Sequence, residues 1–416
     1  HRVYAIGALL YGLTALAAGS APTLSWLIAL KAIQGLGASV ILATSLVILT
    51  SSFAKDERGK AIGLYMFVGG SGFILGPLLG GSIVSWLGWR WMMYMGVPFG
   101  LVSVVASLIT GHAFSKQKVK VKESFDWLGA ALSATSVLAF LLAMSNGNHW
   151  GWYSAYTVSA LAISVVLAIS FLAWQRIARA PILPPDLITN IPFVRGLALT
   201  FLFILGNIPA FILLPFYIEG VLGHSAIISG LSIAVAACIF TVIGVTVGSL
   251  SDRIDWRIFV TGSALVIATT MMLLSLLNER SSASHVIGLM AMMGVGVGLW
   301  YAPTTSAALS QIDPLRQGVA SSATLMVRFV ANLSTVAISI SIVTAVMAYQ
   351  GFEATISSIS RPNDPGASAA FVDGMSIAFW FGAAVNIFAA TVTLIPLDRF
   401  FPRHRHPRDA TPQRLR

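Results

Sequence analysis

The stretch His1-Arg2-Val-Tyr4-Ala-Ile-Gly7-Ala-Leu-Leu10 returns 255 residues later as Trp256-Arg257-Ile-Phe259-Val-Thr-Gly262-Ser-Ala-Leu265. Each copy has arginine second, an aromatic fourth and glycine seventh, and each opens a long apolar run. A second match follows: Gln34-Gly35-Leu-Gly37 aligns with Met293-Gly294-Val-Gly296 at an offset of 259. The change of offset falls between the two runs, where a loop absorbs it. The chain is therefore built from two related groups of apolar segments, the first segment matching the ninth and the second the tenth.

The composition says what those segments are. Of 416 residues, 56% are apolar before 37 glycines are counted, and only 10% are charged. Soluble domains average about 25% charged residues, so too little polar surface exists here to cover a water-soluble globule. Lipid-spanning helices need about 20 apolar residues each. Twelve such runs are expected, at about 3–19, 24–50, 61–85, 92–112, 127–145, 154–174, 194–217, 226–250, 258–277, 286–307, 319–348 and 374–397. The fold class is an all-α polytopic membrane protein, since a β-barrel would show short alternating segments. Repeated bundles of this kind are a common plan of secondary transporters.

The formal net charge of +10 is explained by placement. Twenty of the 25 lysines and arginines fall on the side of the amino terminus, against Arg90, Arg280 and Arg361 opposite, with Lys31 and Arg328 inside spans. Loops rich in Lys and Arg face the cytoplasm, so both termini are expected inside, in a cell membrane. The basic tail, Arg399 to Arg416, suits anionic inner-leaflet lipid better than nucleic acid. Cys238 is the only cysteine and reads as a small packing residue within a run.

Three motifs carry the functional reading. In Gly69-Gly-Ser-Gly72-Phe-Ile-Leu-Gly76-Pro77-Leu-Leu-Gly80-Gly81, glycines recur every four residues, giving a flat stripe for close helix contact, and Pro77 interrupts the hydrogen-bond ladder. Lys31 and Gln34, beside Gly35, share a helix face. A lysine at this depth is costly unless it meets a cavity or partner, or snorkels to the helix end. Gly248-Ser-Leu-Ser-Asp252-Arg253-Ile-Asp-Trp-Arg257 lies in a loop. It reads equally as a solvated turn or as a latch whose charges complement helix ends.

These stretches resemble the major facilitator superfamily, and more closely its fourteen-span drug:proton antiporter family. Trp89-Arg90-Trp91, Pro98, Phe125-Asp126-Trp127-Leu-Gly129, Leu214-Pro215-Phe-Tyr217, Gly223-His-Ser225 and Gly318-Val-Ala-Ser with Arg328 fit the same family. The resemblance implies two helical bundles with an extra pair of spans between them. It makes Gly72, Gly76, Pro77, Gly80 and Gly81 the antiporter motif. It assigns Lys31, Gln34, Gly35 and Arg328 to the motifs linked to proton coupling, and Gly248, Asp252, Arg253 and Arg257 to a conformational switch loop. Lys31 stands where the family usually has arginine, and Glu219 where glutamine is common.

The expected organisation is a first-bundle remnant at 1–112, an extra span pair with linkers at 113–192, a second six-span bundle at 193–397, and a basic tail at 398–416. The ninth span is preceded by two spans of its own bundle and by the Gly248 loop. The repeat therefore predicts two further spans before residue 1, making twelve of fourteen, with an embedded acid pairing the buried cations. On this reading residues 1–416 insert but do not transport alone. The expected activity is proton-driven export of small amphipathic compounds, with a small-molecule substrate, protons and membrane lipids as partners. No cofactor, metal or nucleic acid is expected, and no enzyme chemistry: the histidines sit in loops, tails and span ends, and no nucleotide-binding G-x-x-x-x-G-K-[ST] loop occurs. The competing readings are an exporter of one specific metabolite, siderophore or lipid, and a transport-inactive membrane protein or partner subunit.

Overall fold

The computed structural model describes residues 2–52, 72, 75–77, 79–114, 125–251, 254–309, 312, 317–352 and 365–395. Those residues form helices α1 (Arg2–Gly19), α2 (Leu24–Ser52), α3 (Leu75–Leu87), α4 (Trp89–Tyr94), α5 (Gly96–Phe114), α6 (Trp127–Trp150), α7 (Ala155–Gln175), α8 (Pro185–Thr189), α9 (Ile191–Phe216), α10 (Ala226–Leu250), α11 (Trp256–Leu274), α12 (Ala283–Leu309), α13 (Gln317–Tyr349) and α14 (Pro365–Leu394). Eleven stretches among the described residues are long and apolar enough to cross a membrane. The twelfth expected span, 61–85, falls largely outside the described residues, and α3 takes up its end.

Helix ends obey local chemistry. Asp126, Ser154, Asn190 and Asp255 each accept a hydrogen bond from a backbone N–H in the first turn of α6, α7, α9 and α11, which satisfies donors that the helix leaves open. Gly88 turns the chain between α3 and α4 at φ +88°, a backbone conformation that side chains avoid. A π-helical turn, Tyr217–Val221, ends α9 just after Pro215. The Tyr217 hydroxyl there donates to the carbonyl of Asn278, 2.5 Å away.

Packing divides the helices into groups. α1 lies against α2, α4 and α5. α9 contacts α12, α13 and α14; α11 contacts α12 and α14; α10 lies along α12. α6 and α7 pair with each other and join the second group through α13, where the Ser341 hydroxyl donates to the Met144 carbonyl at 2.9 Å. The main buried cluster lies in the second group, around Phe203, Tyr217, Ile267, Met271, Phe371 and Phe379.

The structure corrects three sequence expectations. Cys238 is exposed on α10, not packed inside, because the buried face of that helix carries Ser232, Ala236 and Ala237 instead. The last span begins nine residues earlier than hydropathy placed it, at Pro365, since proline suits the first helical turn. Asp373 consequently lies inside that helix and accepts from Gln350 Nε2 at 2.9 Å, although it had been placed at a span boundary.

Candidate functional site

The internal repeat has a structural counterpart. A side chain added at Gly37 would strike the backbone of Gly7 and Tyr11 of α1, and one added at Gly296 would strike the Ile267 side chain of α11 and touch Val266 at 3.4 Å. Val266 is the residue that the 255-residue offset pairs with Tyr11. Both glycines thus lie at the contact of their helix pair, with backbones in close approach at Gly37.

Beyond that seam the two pairs differ. In α12, Gly294 packs on the backbone of Ala236 in α10, and half of the spanning window is buried. Its counterpart Gly35 in α2 meets no atom within 4 Å among the described residues, and only 11% of that window is buried. Lys31 and Gln34 stand on α2 where the second copy has the fully buried Met290 and Met293. Lys31 Nζ donates to Gln34 Oε1 at 2.9 Å, and Gln34 is itself buried. Their shared helix face thus holds them in one hydrogen bond.

The glycine–proline stripe makes its tight contact at one end. Gly72 and Gly76 are exposed, and an added Cβ at either meets nothing within 4 Å among the described residues. Pro77 is half-buried. A Cβ added at Gly80 would lie 3.0 Å from the Met92 methyl, a flexible neighbour. At Gly81 an added Cβ would overlap the Ala226 carbonyl oxygen and lie 3.0 Å from its carbon. This joins α3 to the start of α10, and so links the two groups of helices.

In the switch loop, Asp252 and Arg253 lie outside the described residues. Gly248 has only an ordinary neighbour, the Ala302 methyl. Asp255 caps α11 by accepting from Arg257 N at 3.0 Å, and the Arg257 guanidinium sits 5.9 Å from the Trp256 ring centre. Arg195 of α9, buried, lies 5.4 Å from the same ring and donates to the Thr393 carbonyl near the end of α14. A cation there complements the negative helix end.

Arg328 is the other cation within a span. Its guanidinium lies over Tyr301 at 3.9 Å from the ring centre and donates to the Tyr301 hydroxyl. Tyr301 meets Phe240 edge-on at 5.9 Å, and its neighbour Trp300 stacks on Phe203 at 4.9 Å. Sequence reasoning had marked Arg328 but missed Tyr301, Trp300 and Thr304. The signal was present as Trp300-Tyr301 one turn before Thr304, yet aromatic residues in spans are ordinary packing groups. A separate cavity of about 300 Å³ lies between α6, α7, α9 and α13, with Phe171, Phe201 and Met326 in its wall. Its Ser136 and Ser164 hydroxyls donate to each other's backbone carbonyls at 2.9 Å.

The Phe125–Gly129 motif is a clamp. Asp126 accepts from Gly129 N, Trp174 Nε1 and Gln175 Nε2, each at 2.8 Å, tying the start of α6 to the end of α7. A side chain at Gly129 would collide with Asp126 and Gln175. Partial desolvation pushes the Asp126 carboxyl up, but the three hydrogen bonds together outweigh it and hold the pKa below the usual carboxylate value.

Two related helical groups, glycine seams and cations set inside apolar spans define a polytopic membrane protein of the helical-bundle class. The Major Facilitator Superfamily profile matches residues 1–335, and the chain belongs to that family. It is 27% identical over 333 residues to the puromycin resistance protein pur8 of Streptomyces alboniger, covering 77% of this chain and 64% of that protein. It is 26% identical over 329 residues to multidrug resistance protein 3 of Bacillus subtilis, covering 79% and 64%. To the riboflavin transporter RibZ of Clostridioides difficile it is 28% identical over 336 residues, covering 80% and 71%. The chain thus spans less than two thirds of the length of the first two relatives. Among solved structures, an auto-inhibited POT family peptide transporter superposes with TM-score 0.60 at 16% identity, covering 97% of this chain and 84% of that one. A bacterial homologue of the lysosomal transporter Spinster, inward-facing and occupied, gives 0.59 at 14% identity, covering 96% and 82%. These likenesses show the fold.

Proposed function

We propose that the protein is a secondary active exporter of small amphipathic compounds, driven by protons and working by alternating access in the cell membrane, with both ends of the chain in the cytoplasm. The observation that carries the reading is the pair of matched helix seams, Gly37 on α1 and Gly296 on α11, in two groups that touch through Gly81 and Ala226. Related bundles that rock against each other around such a contact expose a shared cavity to one side and then the other. Several relatives are named for resistance to puromycin or to multiple drugs, which supports an amphipathic substrate. The Lys and Arg asymmetry supports the orientation. Lys31, held by Gln34 on an open helix face, is the group we assign to proton coupling.

The test is efflux of an amphipathic dye from cells producing the protein, with and without a protonophore. Efflux that stops when the proton gradient collapses is expected. Efflux that continues unchanged contradicts the coupling, and an absence of efflux for a broad dye panel contradicts the exporter.

A further inference from the structure

Three polar groups of the second bundle remain to be explained, and they share one chemistry. Trp300 Nε1 and Thr304 Oγ1 are buried without a hydrogen-bond partner among the described residues, and so is Arg328 Nε. Trp300 and Thr304 are 2% and 1% exposed. They stand one turn apart on α12, with Tyr301 between them holding the Arg328 guanidinium through its hydroxyl and its ring. An indole N–H and a guanidinium N–H can only donate, and a threonine hydroxyl can donate as well as accept. Unmade hydrogen bonds at buried sites are costly, and more so for a charged group.

Among the described residues no carboxylate pairs with this set: Glu219, Asp255 and Glu279 lie at span ends, and Asp373, inside α14, accepts from Gln350. Arg328 stands about ten residues into its span, and a cation at that depth calls for a partner. Phe240 meets Tyr301 edge-on and adds apolar surface beside it, while the fully buried Phe203 backs Trp300. Arg328 and Tyr301 are partly exposed and open to an approaching ligand, whereas Trp300 and Thr304 are covered in this conformation. The combination asks for a ligand with an anionic or strongly accepting head and an apolar or aromatic body.

We infer that Arg328, Trp300 and Thr304 form a binding site for amphipathic organic anions, with Phe240 and Tyr301 as its apolar wall. The assignment rests on the transporter reading and narrows its substrate class. Charge-assisted hydrogen bonds to a carboxylate are stronger than those to a neutral acceptor, so the site discriminates by charge. Lys31 belongs to the first bundle and takes no part in it.

Dansyl-undecanoic acid and its methyl ester are the probes, since they share a body and differ in charge. Binding to the purified full chain in detergent is read from the dansyl fluorescence, without any ion gradient. The acid is expected to bind at least about tenfold more tightly than the ester. R328Q should remove that preference, and R328K should restore part of it. Equal affinity of acid and ester for the unaltered protein overturns the site, as does an R328Q protein that still prefers the acid. A monodisperse elution profile establishes that R328Q is folded; if it fails that control, Thr304→Val serves instead, with a smaller loss of acid preference expected and an unchanged preference overturning the site. Because binding is measured apart from transport, an acid preference without efflux counts against the exporter and upholds the site. Efflux of dyes by a protein that ignores the probe's charge does the reverse.

Discussion

Replacing Gly81 by alanine tests whether the two helix groups separate during the cycle. The added methyl would overlap the Ala226 carbonyl and crowd the Cα of Ile227 at 3.4 Å, in a helix start whose backbone has little room to retreat. Overpacking of one methyl into a close contact costs about 1–3 kcal/mol. If that contact exists in this conformation and opens in the alternate one, the whole cost falls on one side of the equilibrium. The ratio of the two states then moves by about 5- to 150-fold, since each 1.4 kcal/mol is tenfold. The readout is the rate at which an impermeant maleimide reacts with a cysteine at Ile227, after exposed Cys238 is changed to serine. Labelling should accelerate in Gly81→Ala by a factor in that range, with export slowed as one state becomes dominant. Gly76→Ala is the control, because its Cβ meets nothing within 4 Å among the described residues. Labelling rates within about twofold across all three proteins would refute the idea that this contact opens.

Further outcomes follow from the same geometry. Gly294→Val should lower the thermal midpoint of the detergent-solubilised protein, by the equivalent of about 1–3 kcal/mol, because it strikes the Ala236 backbone; Gly35→Val at the matched position should change it little. Asp126→Ala removes a cap and two side-chain bonds between α6 and α7, and should cost about 1–2 kcal/mol at neutral pH. The folded pKa of Asp126 is depressed, so its contribution is full above the unfolded value near 3.9 and fades as pH falls through the lower folded value. The melting difference between wild type and Asp126→Ala should therefore be constant from pH 7 to about 5 and shrink at more acidic pH. Lys31→Met, which installs the residue type of its counterpart Met290, should leave the protein folded and dye-binding but uncouple efflux from the proton gradient.

The helices were legible because each spans lipid, and lipid imposes one rule on every residue of a run. Among the described residues eleven stretches appear close to where hydropathy put them, and the offset of 259 aligned Gly37 with Gly296, both of which lie against the preceding helix. Contacts between runs were less legible. A glycine looks the same in sequence whether it lies under another helix, as Gly81 does, or stands open, as Gly76 does. Lys31 and Gln34 could be paired by spacing alone because they share one helix. Arg328 and Tyr301 are on different helices, and only the packing of α12 against its neighbours shows that they meet. The start of α14 was misplaced because its first turns are small and polar, Gly366-Ala-Ser368, and hydropathy does not see a helix that packing and a leading proline sustain.

Coupling itself is most directly measured as proton movement caused by substrate. The protein is reconstituted in liposomes with a pH-sensitive dye inside, and a gradient of an amphipathic substrate is imposed with no initial pH difference. Alternating access with shared coupling makes the two fluxes reciprocal, so the substrate gradient should drive protons in the opposite direction, and Lys31→Met should abolish the proton signal. Substrate that crosses through the protein while internal pH stays constant would contradict the account.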